Sequence, residues 1–169
     1  YDRIYQTDIC GWQGVLGYDK EYAYFANVYE SKSSEQISAV GFYATDVETS
    51  YTVYVVGDFN DSKKFGNMRL VGSGVFENAG YYTVKFDEPI KVTGKKFAVI
   101  VRVETPNSKR PVAIEMQKDY ATKTVDLTDS EGYVSLNGQE WERVEEKYKC
   151  NICLKAYTDV NIFEKNEKD

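Results

Sequence analysis

The sequence predicts an all-β fold, a sandwich or a barrel, and three observations carry that prediction. Short runs rich in Val, Ile, Tyr and Phe recur along the chain, bounded by clusters of Gly, Asn, Asp, Ser and Pro. Several of these runs alternate in polarity with a period of two, the period of a half-buried strand. No segment sustains a helical period beyond about two turns. Short strands at this spacing build sandwiches or barrels, and 169 residues suffice for one domain with one substantial core.

The strands are predicted in order at Tyr22 to Glu30, Gln36 to Thr45, Ser50 to Val56, Arg69 to Phe76, Gly80 to Phe86, Lys96 to Glu104, Val112 to Gln117, Gly132 to Ser135 and Asn151 to Thr158. In Tyr51-Thr52-Val53-Tyr54-Val55, one face is Tyr51, Val53 and Val55. The run from Phe97 to Val103 is apolar almost throughout, which predicts a central strand buried on both faces. Turns are predicted at Asn78-Ala79-Gly80, Asp87-Glu88-Pro89, Thr93-Gly94, Thr105-Pro106-Asn107 and Leu136-Asn137-Gly138. The last is the sharpest, because Asn and Gly both tolerate the positive φ of a tight hairpin turn. From Asp159 to Asp169 the chain is charged and reads as a tail or linker after a single domain at 1–158.

Charge and composition exclude several function classes. Lys plus Arg number 21 against 27 Asp plus Glu, a net charge of −6 with the charges scattered, which disfavours nucleic acid and anionic membrane as partners. No stretch of about eighteen apolar residues is present to span a bilayer. Lacking an initiator Met and a leader segment, the chain reads as a piece of a longer protein. There is no histidine. Serine and cysteine nucleophiles therefore lose the imidazole that would activate them near neutral pH, and common catalytic zinc sites lose their usual ligand. The reading is non-catalytic.

Three features could carry binding. Hard oxygen ligands suit calcium, and Asn27, Glu30 and Glu35 surround the loop Ser31-Lys32-Ser33-Ser34; the alternative reading is a polar strand edge and turn. Trp12, Tyr18, Tyr22 and Tyr24 could present rings for stacking on sugars, although most aromatic side chains of a sandwich pack inward. Cys150 and Cys153 form a CxxC, without enough partners for zinc. Three residues apart on a strand, they should point to opposite faces, with one of them toward the core. If the first and last strands are neighbours, Cys10 and Cys150 could form a disulfide.

The order of several segments resembles a known family. Gly11-Trp12, Leu16-Gly17-Tyr18, Phe25-Ala26-Asn27-Val28-Tyr29, Ile37-Ser38-Ala39-Val40-Gly41-Phe42-Tyr43, Ala79-Gly80-Tyr81-Tyr82-Thr83-Val84, Gly94 to Val99, Val134 to Gly138 with Trp141, and Asn151 to Thr158 are similar to the lectin-like domain of bacterial papain-type cysteine peptidases. The resemblance implies a two-sheet antiparallel sandwich, jelly-roll-like, similar to carbohydrate-binding and galactose-binding-like modules. It implies a secreted or cell-wall peptidase as the parent chain, calcium as a bound ion, and an adjacent papain-like domain as a partner. It also implies a cell-surface glycan or surface-layer protein as ligand, or a structural role in which the module packs on the peptidase and binds nothing else. It brings no catalysis, because the family's Cys and His lie in the preceding domain. Cys10 and Cys150 depart from the family pattern, and their joint appearance strengthens the disulfide reading.

Overall fold

The computed structural model describes residues 1–6, 11–116 and 131–160. Its strands are β1 (Arg3–Tyr5), β2 (Gly14–Leu16), β3 (Tyr22–Glu30), β4 (Glu35–Ala44), β5 (Thr49–Val56), β6 (Arg69–Phe76), β7 (Gly80–Lys91), β8 (Lys96–Glu104), β9 (Val112–Met116) and β10 (Glu131–Ser135). After these come β11 (Glu142–Arg143), a one-turn helix α1 (Val144–Lys147), β12 (Cys150–Ile152) and β13 (Leu154–Val160).

Every pairing among the described strands is antiparallel. One layer is a six-stranded sheet in the order β11-β10-β3-β8-β5-β6. The other consists of a four-stranded sheet, β1-β13-β4-β7, and a three-stranded sheet, β12-β9-β2. The result is a β-sandwich. Phe25, Phe42, Phe97, Val99, Ile114 and Leu154 belong to the main core between the layers. The alternation of β5 delivers Val53 and Val55 to that core, with Tyr51 packed against it.

The central strand is β8, between β3 and β5. Its odd positions, Phe97, Val99, Val101 and Val103, enter the main core, whereas Ala98 and Ile100 enter a second cluster on the outer face of the sheet. That second cluster forms because the connection between β5 and β6 folds Phe59 and Phe65 down over the sheet. Burial on both faces explains the unbroken apolar run.

Three local features differ from the sequence expectation. Asp87-Glu88-Pro89 lies within β7 and is not a turn; the extra residues appear as an irregularity in register opposite β4, between Ile37 and Ala39. A bulge lets Pro89 sit in a strand despite its missing N–H donor. The connection after Ser135 is longer than a two-residue hairpin, with β11 resuming at Glu142, and positive φ occurs at Gly138 (76°) and not at Asn137. Asn137 organises this loop differently, its Oδ1 accepting from the backbone N–H of Gln139 (2.8 Å) and of Glu140 (2.9 Å). Finally, the predicted last strand is divided at Cys153 into β12 and β13, which belong to different sheets. Cys150 and Cys153 are both buried, and of the two Cys150 belongs to the main core.

β1 and β13 pair, so the first and last strands are neighbours. Cys10 lies outside the described residues, and its proposed bridge to Cys150 with it. β13 continues to Val160, and residues 161–169 of the predicted tail also lie outside the described residues.

Candidate functional site

On the outer face of the six-stranded sheet, a groove of about 680 Å³ runs between the 57–68 connection and the loop joining β10 to β11. Tyr24 of β3 and Tyr133 of β10 line it from the sheet, Phe65 and Met68 from one loop, and Trp141 from the other. The rings support one another. Phe65 stacks on Trp141 (centroids 4.3 Å apart), meets Tyr133 edge-on (5.2 Å), and Trp141 meets Tyr24 edge-on (6.1 Å).

Local hydrogen bonds fix both walls. Trp141 Nε1 donates to the carbonyl of Gly138 (3.3 Å), and Gly138 N–H donates to Ser135 Oγ (2.8 Å). A Cβ at Gly138 would stand 2.9 Å from the ring of Tyr24, so close approach and positive φ both demand glycine here. On the opposite wall, Asn60 Oδ1 accepts from Ser62 Oγ (2.7 Å) and Lys63 N–H (3.0 Å), and Lys64 holds a φ of 45°. The rim carries Lys63, Lys64, Asn137 and Gln139, all exposed. A half-exposed, aromatic-walled groove with a few polar groups is the usual form of a small-ligand or sugar site.

A second depression, about 410 Å³, lies between β6 and β7 and carries Arg69, Lys85, Asp87 and Glu88 with Tyr51 as its one ring. It lacks an aromatic wall.

The sequence-predicted aromatics separate in space. Tyr24 lines the groove, and Tyr22, two residues away, sits under Arg102, whose guanidinium is 5.1 Å from the Tyr22 ring centre and 5.9 Å from that of Tyr24. Tyr18 packs on the main core and donates to Glu142 Oε1 (2.7 Å). Trp12 is on the other layer, against Tyr43 (5.4 Å). There it ends a stripe of rings: Tyr43 meets Tyr81 (5.2 Å), Tyr81 hydrogen-bonds Tyr157 through their hydroxyls, and Tyr157 meets Tyr1 (5.2 Å). Trp12, Tyr81 and Tyr1 of this stripe are substantially exposed.

Asn27, Glu30 and Glu35 occupy three different environments. Glu30 is exposed at the end of β3. Glu35 is buried, and its Oε2 accepts from Tyr5 OH (2.7 Å), Ser31 Oγ (2.8 Å), Lys32 N–H (3.2 Å) and Arg3 Nη1 (3.3 Å), while Oε1 accepts from Thr158 Oγ1 (2.6 Å). Burial is the largest single influence on this carboxyl and pushes its pKa up; the donors, led by Thr158, Tyr5 and Ser31, together outweigh it and hold the pKa below the ordinary value. A carboxylate ringed by donors that include a guanidinium is already neutralised and suits no cation.

Asn27 is different. Its Nδ2 donates to Tyr29 OH (2.9 Å) and Leu154 O (3.0 Å), while its buried Oδ1 has no hydrogen-bond partner among the described residues. Glu145 of α1 is also buried: its Oε1 accepts from Gly132 N–H (2.7 Å) and its Oε2 is likewise unpartnered among the described residues. Both side chains close on Gly132, where a Cβ would lie 3.2 Å from Asn27 Oδ1 and 3.3 Å from Glu145 Oε1. Burial pushes the Glu145 carboxyl above its ordinary pKa, and burial with the Glu145 charge pushes the Cys150 thiol up to about 12. Among the described residues no group of three or more His, Cys, Asp or Glu is placed to hold a metal ion, and Asn27 Oδ1 and Glu145 Oε2 are the buried oxygens that a hard cation would have to use.

Against known proteins, the family profile described as "Lectin like domain" matches residues 4–158. The chain belongs to the lectin-like domain family. No curated protein matches it. Among solved structures, the lectin-like domain is similar to part of the cysteine protease and lectin-like domains of Cwp84, a surface-layer-associated protein of Clostridium difficile. The TM-score is 0.69 at 24% identity, covering 83% of this chain and 33% of that one. A second similar structure is the clostridial cysteine protease Cwp84, a single-site variant after propeptide cleavage, with TM-score 0.72 at 21% identity, covering 94% and 40%. The chain thus spans well under half of the structures it matches. In the first relative the lectin-like domain is distinct from, and joined to, a protease domain. No helix among the described residues is long and apolar enough to cross a membrane.

Sequence reasoning missed Phe65, Tyr133, Trp141 and Glu145 as members of these sites. Tyr133 and Phe65 lie more than sixty positions apart in the sequence and carried no shared motif. Glu145 lies in a run of charge, Glu142 to Lys149, that resembles any solvated face.

Proposed function

We propose that the lectin-like domain is a non-catalytic accessory module of a secreted cell-wall cysteine peptidase, which binds a cell-surface glycan or surface protein and positions the catalytic domain. The observation that carries this reading is the aromatic groove of Tyr24, Phe65, Tyr133 and Trp141, with about 680 Å³ of space open to solvent. Sugar rings present C–H faces to aromatic surfaces and hydroxyls to polar rims, and the groove offers both. Tethering converts a weak site into an effective one, because the second encounter becomes intramolecular. Calorimetric titration with clostridial cell-wall polysaccharide should give heat that Trp141→Ala removes; absence of heat with the unaltered chain rejects the reading.

Calcium is part of the proposal. Asn27 Oδ1 and Glu145 Oε2 would hold the ion, with backbone carbonyls and water completing its shell, and it would supply structural charge compensation for a carboxylate that burial otherwise disfavours.

The ring stripe from Trp12 to Tyr1 favours a second reading, a purely structural module. Exposed aromatic surface of this kind fits a face that packs on the peptidase domain and orients or shields it. Deleting the module and assaying a small soluble substrate separates the two, since a targeting device leaves that activity unchanged.

A further inference from the structure

The rim of the groove is unlike the rest of the molecule. The chain carries a net charge of −6, yet the residues lining the groove include Lys63 and Lys64 and no carboxylate. Asp61 and Glu140, on the same two loops, do not line it. Neither lysine takes part in an ion pair among the described residues. Asn137 spends its Oδ1 on the backbone N–H groups of its own loop, which leaves the Nδ2 donor for the groove. The rim is therefore rich in donors and positive charge, and lacks an anionic acceptor.

The backbone that carries the lysines is also held in place. Asn60 accepts from Ser62 and Lys63, and its carbonyl accepts from Lys64 N–H (2.8 Å). Lys64 holds a left-handed backbone, which is unfavourable for a non-glycine residue. The turn thus carries two adjacent lysines at the edge of an aromatic wall.

Resting on the reading of the groove as a glycan site, we infer that it selects acidic glycans: the rings stack on a sugar face while Lys63, Lys64 and Asn137 Nδ2 bind a carboxylate or phosphate substituent. The two anions share this chemistry, and Lys binds either as a point charge.

The test uses the 169-residue chain and clostridial cell-wall polysaccharide in three forms: untreated, with carboxylates amidated by carbodiimide, and with phosphodiesters removed by hydrofluoric acid. Either amidation or phosphate removal should weaken binding roughly three- to tenfold, the range for two solvent-exposed charge pairs, and the treatment that does so names the anion. Added salt should weaken binding to the untreated polymer more than to the treated one. In the double variant Lys63→Gln, Lys64→Asn, where Asn tolerates the left-handed backbone, the ratio of the two affinities should collapse toward one. Equal binding of all three polymers, or a charge preference that survives in the double variant, overturns the inference while leaving the groove a sugar site. Failure to bind the untreated polymer at all rejects both the inference and the reading beneath it.

Discussion

Replacing Glu35 should be the most damaging single change in the domain outside its apolar core. Its carboxylate joins three separate pieces of the fold: Arg3 and Tyr5 of β1, the Ser31–Ser33 loop, and Thr158 of β13. With the Glu35 side chain fully enclosed, Glu35→Ala leaves the Tyr5 and Thr158 hydroxyls without this acceptor, whereas Arg3, partly exposed, keeps Ser33 Oγ and water. Each buried donor left without an acceptor costs about 1–3 kcal/mol, so the loss is a large part of the roughly 5–15 kcal/mol that holds a domain together. We take about 4 kcal/mol, which lowers the melting temperature by roughly 10 °C in a chain of this size. Glu35→Gln keeps the shape and an acceptor oxygen, and should cost about 1–2 kcal/mol. The pH dependence has a definite sign. The folded pKa is depressed below the unfolded value of about 4.3, so this stabilisation is complete above that pH and fades as the pH falls below it toward the folded value. Thermal melts of the three proteins between pH 3 and 7 measure both effects. A Glu35→Ala melt within 2 °C of the parent would refute the reasoning, as would a Glu35→Gln protein with an unchanged acid limb.

Other outcomes follow from the same geometry. Glu145 has a raised folded pKa, so without calcium stability should increase as the pH falls from neutral through that pKa toward the unfolded value, and Glu145→Gln should flatten this limb. At neutral pH, chelator should lower the melting temperature of the parent and leave Glu145→Gln unmoved; a parent indifferent to chelator dismisses the ion. Gly132→Ala places a Cβ 2.8 Å from Val144 Cγ2 and into the space between Asn27 and Glu145, and should cost about 1–3 kcal/mol by denaturant titration while abolishing the calcium response. Trp141→Ala should weaken glycan binding at least tenfold by calorimetry, because it removes one wall and the support of Phe65 and Tyr24 together. Gly17→Ala meets backbone atoms of Arg110 and Lys109 at 2.6 and 2.7 Å, which cannot rotate away, and should destabilise by about 3 kcal/mol in the same titration.

The sequence by itself determined most of the longer strands, because side-chain alternation is a local property with a definite period. β3, β6 and β8 have the predicted limits, and the double burial of β8 was written in the run from Phe97 to Val103. The shortest elements, β1, β2 and β11, were not legible: two or three residues carry no periodic signal, and pairing partners far along the chain hold them in place. Irregularity was equally hidden, since whether Asp87-Glu88-Pro89 turns the chain or bulges out of β7 depends on β4 lying alongside. Of the aromatics singled out from sequence, tertiary structure alone sent Tyr24 to the groove and Trp12 to the opposite layer, for the reason that a strand fixes which side a ring takes but not which loops will close over that side. The absence of histidine could be read from the sequence directly; the groove, the Glu35 clamp and the meeting of Asn27 with Glu145 could not, because each is assembled from residues that only the packing of two layers and their loops brings within reach.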